Sequence, residues 1–355
     1  MFMKQFNPVL NIAGRLVGAS HPPYIIAEMS ANHNGDISRA YRIIDEAKKA
    51  GADAVKLQTY TADTITLDCD KEDFQINEGL WQGQTLHELY SQAHMPWDWH
   101  KPLFEHAQKI GIAIFSTPFD ESAVDLLEDL GTPAYKIASF EAVDLRLIDY
   151  VARTRKPMII STGMATEDEI NEAVDTAKAG GCSELALLQC VSSYPAVASD
   201  YNLACIPDMK DRFGVVTGLS DHTIDNTCAV ASVAIGGCLI EKHFTLDRNG
   251  GGADDSFSLE PDDLYSLCES ARTAWEAIGA ANYNLKPSES TSAQHRRSLY
   301  FTKSLTKNDV ISSGDIRSVR PGFGLPTKMF DEVVGAKLKR DVSFGDPVRL
   351  EDINF

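Results

Sequence analysis

Two lysines, two histidines and a set of hydroxyls stand where packing alone would not put them. Lys56 lies in Val-Lys-Leu and Lys136 in Tyr-Lys-Ile, each inside an apolar run. A bare ammonium there costs several kcal/mol, so each needs an anion. A strand carboxylate such as Glu28 or Glu241 would serve either lysine alone; for both together a bound anionic substrate is the expectation. Ser161-Thr162-Gly163 precedes a helix pattern that can start near Thr166, which places hydroxyls and free backbone N–H groups to cradle a phosphate. His222 closes Gly218-Leu-Ser-Asp-His222, and His243 closes Glu241-Lys-His243. A lone strand-end histidine is ordinarily a hydrogen-bonded core residue. Two at the ends of adjacent strands, about 4.8 Å apart, reach one ion. Asp254, in the glycine-rich loop Gly250-Gly-Gly-Ala-Asp254, is placed to complete that ion's shell or hold its water. Imidazole with oxygen suits a divalent ion, Mn²⁺ first, with Mg²⁺, Co²⁺ and Zn²⁺ left open by residue type. Cys190 also ends a strand but has no histidine in its motif and reads as packing.

The elements that must position these groups are repeats of one unit, complete between Pro23 and Tyr60. Tyr24 to Ala27 is an apolar run without alternation, the mark of a strand buried on both faces, and it ends on Glu28. Asp36 caps a helix with apolar residues at Ala40, Ile43, Ile44 and Ala47, and Gly51 closes it. The next strand, Ala54 to Tyr60, therefore returns parallel, with Lys56 and Gln58 on one side of it. Further runs occur at Ala113 to Thr117, Ala134 to Ser139, Pro157 to Met164, Leu185 to Ser192, Val215 to His222 and Cys238 to Thr245, most of them separated by helix patterns. Eight strands alternating with helices predict an α/β fold, a closed parallel (β/α)8 TIM barrel. An open doubly wound sheet would be expected to show a glycine-rich phosphate loop after its first strand, and none follows Glu28. Closure brings the eight strand ends to one mouth.

The 355 residues exceed one barrel of about 250, so a second domain is expected. Residues 1–22 read as a hairpin, Leu10 to Val17 turning at Ala13-Gly14, that caps the closed bottom; 23–280 as the barrel; 281–291 as a polar linker; and 292–355 as a compact small domain. The long insertion Thr61 to Trp99 carries Leu80, Trp81, Leu86, Leu89, Tyr90, Trp97 and Trp99, and reads either as a substrate wall at the mouth or as ordinary helix packing. A formal charge of -18 speaks against nucleic acid and anionic membranes as partners. Seven cysteines without metal-type spacing read as reduced thiols, and no apolar run approaches the roughly 18 residues of a membrane span, so a cytoplasmic location is expected.

Ala27-Glu-Met-Ser-Ala-Asn-His-Asn-Gly35, Val55-Lys-Leu-Gln-Thr59, Phe115-Ser-Thr-Pro-Phe119, Ala134-Tyr-Lys-Ile-Ala-Ser139, Ser161-Thr-Gly-Met164, Gly218-Leu-Ser-Asp-His-Thr223 and Glu241-Lys-His-Phe-Thr245 together resemble the sialic acid (nonulosonic acid) synthase family. The resemblance covers essentially the whole chain. The tail, with Arg320-Pro-Gly322, resembles the antifreeze-like (SAF) domain that ends those synthases. The Ser-Ala-Asn-His-Asn-Gly motif, the Gln58-Thr-Tyr-Thr run and the Leu80-Trp81 to Tyr90 insertion are most similar to pseudaminic acid synthases. Gln189 and Ser192 stand where neuraminate synthases tend to carry His and Asn. Met29 replaces an expected Leu, a volume-conserving change.

This resemblance implies a transferase that condenses phosphoenolpyruvate with an N-acetylated amino sugar aldehyde and water, releasing phosphate. It implies that Lys56, Gln58, Lys136, Ser139, Ser161, Ser192 and Ser220 hold phosphoenolpyruvate, that His222 and His243 hold the metal, and that Glu28 and Asp254 act with them in catalysis. Glu28, Asn32, Tyr60, Asp254 and Arg320 would meet the sugar. It further implies a domain-swapped homodimer in which the tail reaches over the partner's barrel. Pseudaminic acid is the expected product, with N-acetylneuraminate or legionaminate as the alternative. A Schiff-base aldolase using Lys56 or Lys136, and a carbohydrate-binding protein without activity, are the other classes in view.

Overall fold

The computed structural model describes residues 5–77 and 81–354; Leu80 lies outside them. The chain divides into two compact units, Met1–Gly279 and Ala280–Phe355. The first begins with an antiparallel hairpin, β1 (Leu10–Ile12) and β2 (Arg15–Val17), whose turn sets Ala13 and Gly14 at φ 51° and 85°. Leu10, Ile12 and Val17 pack among the inward residues at the strand beginnings, Tyr24, Ala54, Val216 and Leu239, and so plug that end.

Eight parallel strands follow: β3 (Tyr24–Glu28), β4 (Ala54–Thr59), β5 (Ala113–Pro118), β6 (Tyr135–Ile137), β7 (Met158–Ser161), β8 (Leu185–Cys190), β9 (Val216–Asp221) and β10 (Leu239–His243). They close in sequence order, with β10 pairing β3, so the expected barrel is the observed one. Alternation explains the runs. Ile25, Ala27, Val55 and Leu57 face the helices, whereas Tyr24, Ile26 and Ala54 face the barrel interior. The next inward positions after Ile26 and Ala54 are Glu28, then Lys56 and Gln58, which therefore line the opposite mouth. Register pairs Glu28 with Lys56, His243 with Glu28, and Glu241 with Ser220.

The crossover helix Ile37–Ala50 behaves as its spacing requires: the Asp36 side chain accepts from the Ser38 N–H, Ala40, Ile43, Ile44 and Ala47 are buried, and Gly51 sits at φ 92°. The insertion after β4 forms a helix, Leu86–Ala93, whose start is tied reciprocally by Thr85 and Glu88. No helix among the described residues is long and apolar enough to cross a membrane.

In the second unit, the stretch read as a linker, residues 281–291, is exposed throughout; a turn at Pro287–Glu289 runs into a short helix, Ser290–Ala293. Two small sheets follow, β11 (Ser298–Phe301) with β12 (Ile316–Val319) and β13 (Lys337–Leu338) with β14 (Ile353–Asn354). Leu299, Phe301, Ile316, Val333, Val348 and Ile353 make a core of their own.

Candidate active site

At the base of the mouth, four charged side chains from four strands form one buried cluster. Lys56 Nζ lies 2.9 Å from Glu28 Oε2 and 3.5 Å from Glu241 Oε1, and Lys136 Nζ lies 3.5 Å from that same Glu241 oxygen. This corrects the expectation that both lysines must wait for a substrate anion. Inward register puts a carboxylate beside each. Burial works against the Lys56 ammonium, yet Glu241 and Glu28 together hold it above the ordinary lysine value. Burial likewise opposes charge on Glu241, but Lys136 and Lys56 hold its carboxyl below the usual range. Two groups are left undercompensated. Burial drives the Glu28 carboxyl up to about 7 despite Lys56, and it keeps Lys136 below an ordinary lysine because Glu241 offsets only part of the cost. Lys136 is the cation still short of an anion.

Hydroxyls gather beside it. Ser139 Oγ and Ser192 Oγ lie 2.8 Å apart, Ser220 Oγ donates to Glu241 Oε1 at 3.3 Å, and Ser161 Oγ is buried with no partner among the described residues. Gly163, at φ +49°, keeps this cradle open. A Cβ there would stand 2.8 Å from Ser192 Oγ and closer still to Ser139 Cβ. The turn read from sequence as a phosphate site thus meets serines just past β6 and β8 that no local pattern links to it.

His222 and His243 come together as expected, their ring centroids 5.5 Å apart. His222 Nδ1 lies 2.7 Å from the Val191 carbonyl, which can only accept, so Nδ1 carries the proton and Nε2 keeps its lone pair. Burial pushes the His222 imidazole down to about 4, and burial with His222 beside it holds His243 well below its ordinary value. Both are neutral, with His243 Nδ1 unpartnered among the described residues and 3.8 Å from Asp254 Oδ2. This donor set fits a divalent ion held by two imidazoles. Among the described residues no group of three His, Cys, Asp or Glu forms a finished shell, so water or substrate oxygen would fill the other positions.

The backs of the two histidines are braced from outside the barrel. Lys242 Nζ donates to Asp221 Oδ2 at 2.9 Å and to the Thr223 and Asp225 carbonyls at 2.7 Å each, satisfying all three ammonium protons. The clamp joins the residue before His222 to the residue before His243. Tyr201 Oη accepts from the His222 N–H at 2.5 Å. Lys242→Met leaves Asp221 buried and uncompensated and is expected to destabilise the fold by about 3–5 kcal/mol in urea unfolding; a loss under about 1 kcal/mol would show that the clamp is not structural.

A cavity of about 480 Å³ opens over the cluster, lined by Ser30, Gln58, Tyr60, Ser139, Ser192, His243 and Asp254 among others. Gln58 Nε2 donates to Glu28 Oε1 and Ser30 Oγ, both at 2.9 Å, and Ser30 Oγ donates to Asp254 Oδ2 at 2.5 Å. Gln58, expected on phosphoenolpyruvate, therefore links the two acids. Burial raises the Asp254 carboxyl above its ordinary value. Tyr60 reaches the cavity with its ring 5.6 Å from Tyr90 of the insertion and 5.1 Å from Phe119. Asn32 does not line it. Its side chain is wholly buried; the NH2 donates to the Phe244 carbonyl and to Ser258 Oγ and so braces the loop after β10, while Oδ1 has no partner among the described residues. Arg320 lies in the second unit.

Three cavity residues escaped sequence reasoning. Ser30 is held at φ 45° by the β3 loop. The Tyr194 ring lies tilted over His222 at 4.4 Å between centroids and edge-on to His243 at 5.9 Å. Glu141, just past β6, has a buried Oε2 without a partner among the described residues, and burial pushes its carboxyl up to about 7. An acid four residues past the Lys136 strand was the available signal. Because its folded-state value is raised, Glu141 binds its proton more tightly folded than unfolded, and its contribution to stability falls as pH rises from about 4.5 to 7. Glu141→Gln is therefore expected to stabilise the protein by roughly 1–3 kcal/mol more at pH 8 than at pH 5. Equal melting shifts at the two pH values would contradict this.

The NeuB family profile matches residues 43–283, and the SAF domain profile matches residues 296–354. The chain is 42% identical over 329 residues to a pseudaminic acid synthase of Campylobacter jejuni, covering 93% of this chain and 96% of that protein. It is 39% identical to a pseudaminic acid synthase of Helicobacter pylori, covering 94% and 98%. With an N,N'-diacetyllegionaminic acid synthase of Legionella pneumophila the identity is 36%, covering 95% and 96%. Among solved structures, an N-acetylneuraminic acid synthetase of Leptospira borgpetersenii in complex with citrate superposes with a TM-score of 0.72 at 30% identity, covering 81% of this chain and 96% of that one. Matched through most of the barrel and akin to these relatives along nearly its whole length, the chain belongs to the NeuB family and is an enzyme carrying a SAF domain after its barrel.

Proposed function

We propose that this enzyme condenses phosphoenolpyruvate with 2,4-diacetamido-2,4,6-trideoxy-L-altrose and water to give pseudaminic acid and phosphate, with N-acetylneuraminate or legionaminate synthesis as the alternative. The observation that carries the reading is a single barrel mouth holding an undercompensated lysine, a serine cradle and two neutral imidazoles. Lys136 and Lys56, with Ser139, Ser161, Ser192 and Ser220, bind the phosphate and carboxylate of phosphoenolpyruvate, and Gly163 leaves room for them. The sugar aldehyde lies above, between Tyr60, Tyr194 and Asp254. His222 and His243 would hold a divalent ion, Mn²⁺ first, which when bound supplies Lewis-acid polarisation of the aldehyde.

C3 of phosphoenolpyruvate forms the new bond to the aldehyde carbon, whose oxygen takes up a proton. Water adds to C2, and the C–O bond to phosphate breaks. Glu28 and Glu141, both with values pushed up to about 7, exchange protons readily near neutrality and flank this path. Gln58 and Ser30 fix Glu28 relative to Asp254. Arg320, from the SAF domain of a second subunit in a swapped homodimer, would meet the sugar's acetamido region. A cytoplasmic location belongs to the same proposal.

The test is phosphate release from phosphoenolpyruvate with Mn²⁺, offering the diacetamido altrose or N-acetylmannosamine, each with and without EDTA. Release with the first sugar alone, abolished by EDTA, supports the proposal. Release with N-acetylmannosamine alone moves the enzyme to neuraminate synthesis; release unaffected by EDTA removes the metal.

A further inference from the structure

Two loops meet at the wall of the reaction cavity. One follows β3 and carries Ser30; the other follows β10 and carries Asp254. They touch there through the Ser30 Oγ bond to Asp254 Oδ2. Behind that contact a single guanidinium holds both. Arg39 Nε donates to the Asn32 carbonyl of the first loop at 2.7 Å, and Arg39 Nη2 donates to Thr245 Oγ1 at 3.0 Å and to Asp255 Oδ1 at 3.2 Å in the second. Asp255 is 1% exposed, and its other oxygen accepts from Asn34 Nδ2 at 3.0 Å and from the Gly252 N–H at 2.7 Å. Gly252 comes in so closely that a Cβ would collide with Asn34 Oδ1. Two neighbouring carboxylates thus divide the work: Asp254 lines the cavity, while Asp255 is engaged in the clasp behind it.

Arg39 stands in the first turn of the crossover helix Ile37–Ala50, where the positive end of the helix dipole disfavours a cation. The two loops explain its place; the helix does not. A guanidinium is planar with its donors in a fixed fork, so bonds from Nε and Nη2 set the separation of the loops they join. An ammonium is a point charge and lacks that fork. We propose that Arg39 and Asp255 are positioning residues that hold the Asp254 carboxylate at the sugar side of the cavity, in register with Ser30. The inference rests on the sugar-condensing reading above, which puts the aldehyde beside Asp254. Both residues act from behind the cavity wall, through Asp254.

The experiment compares the full-length enzyme with Arg39→Met, Arg39→Lys and the double variant Arg39→Met with Asp255→Asn. Phosphate release is measured against each substrate with the other saturating, using whichever of the two amino sugars the unaltered enzyme turns over, and thermal unfolding is followed alongside. Arg39→Met alone strands Asp255 as a buried charge; the double variant removes both charges together and so remains readable should the single one unfold. In the double variant KM for the sugar is expected to rise at least about tenfold, the scale of one hydrogen bond to a charged group, with KM for phosphoenolpyruvate within about twofold. Arg39→Lys, which keeps the charge and loses the fork, is expected to fall between the double variant and the unaltered enzyme. An equal rise in KM for both substrates, no rise for the sugar, or unfolding of all three variants overturns the positioning role and leaves the condensation intact. If the unaltered enzyme releases no phosphate with either sugar, the reaction assignment falls and this inference with it.

Discussion

His222→Ala and His243→Ala are each expected to lower phosphate release from phosphoenolpyruvate by at least about a thousandfold, some 4 kcal/mol of barrier, while the barrel stays folded. The size follows from the environment. Both imidazoles are buried and neutral, so neither contributes a charge pair to stability, and what each offers is a lone pair in a dry site. For His222 the structural loss is one bond to the Val191 carbonyl, worth about 1 kcal/mol, and the packing of its ring on Tyr194, while the Lys242 clamp and Tyr201 remain. Thermal unfolding and phosphate release would be measured together, with Mn²⁺ and after EDTA. Full activity of either variant in metal-free buffer would show that the imidazoles are not ligands. A collapse of the fold in parallel with activity would show that they are structural.

Lys136→Met is expected to raise KM for phosphoenolpyruvate by about a hundredfold or more with a smaller effect on KM for the sugar. Lys136 is the lysine whose burial is only partly offset, by a Glu241 carboxylate that Lys56 shares. An incoming anion gains most at such a position. The variant removes that gain yet leaves Glu241 paired with Lys56. The same variant separates the Schiff-base reading. An imine-forming enzyme would be inactivated by borohydride in the presence of a keto substrate and would lose that trapping with Lys136→Met or Lys56→Met. No trapping, with the KM effect confined to phosphoenolpyruvate, supports an anion-binding role; equal effects on both substrates would contradict it.

The barrel was legible because each strand is buried on both faces and each crossover helix is bounded by local chemistry. Tyr24 to Ala27, the Asp36 cap and the Gly51 stop need no distant residue to be recognised, and their physics is satisfied within a few positions. The strand ends could be aligned for the same reason, and with them Lys56, Lys136, His222 and His243. Glu28 and Glu241 were visible as acids but not as the partners of both lysines, since that depends on which side chains closure turns inward. Asn32 looked like its neighbours in a polar motif, yet its amide NH2 is spent on Phe244 and Ser258, more than two hundred positions away, with Oδ1 left without a partner among the described residues.

What the sequence determined by itself is therefore the set of strands, their order and the end at which the chemistry lies, because apolar runs, caps and turns act over short spans. The tertiary structure alone decided the pairing of charges, the neutrality of the imidazoles, the raised carboxyls of Glu28 and Glu141, and the bridge from Gln58 through Ser30 to Asp254. Each of these comes from burial and from contacts across the barrel, where the dielectric falls and residues far apart in the chain set one another's protonation.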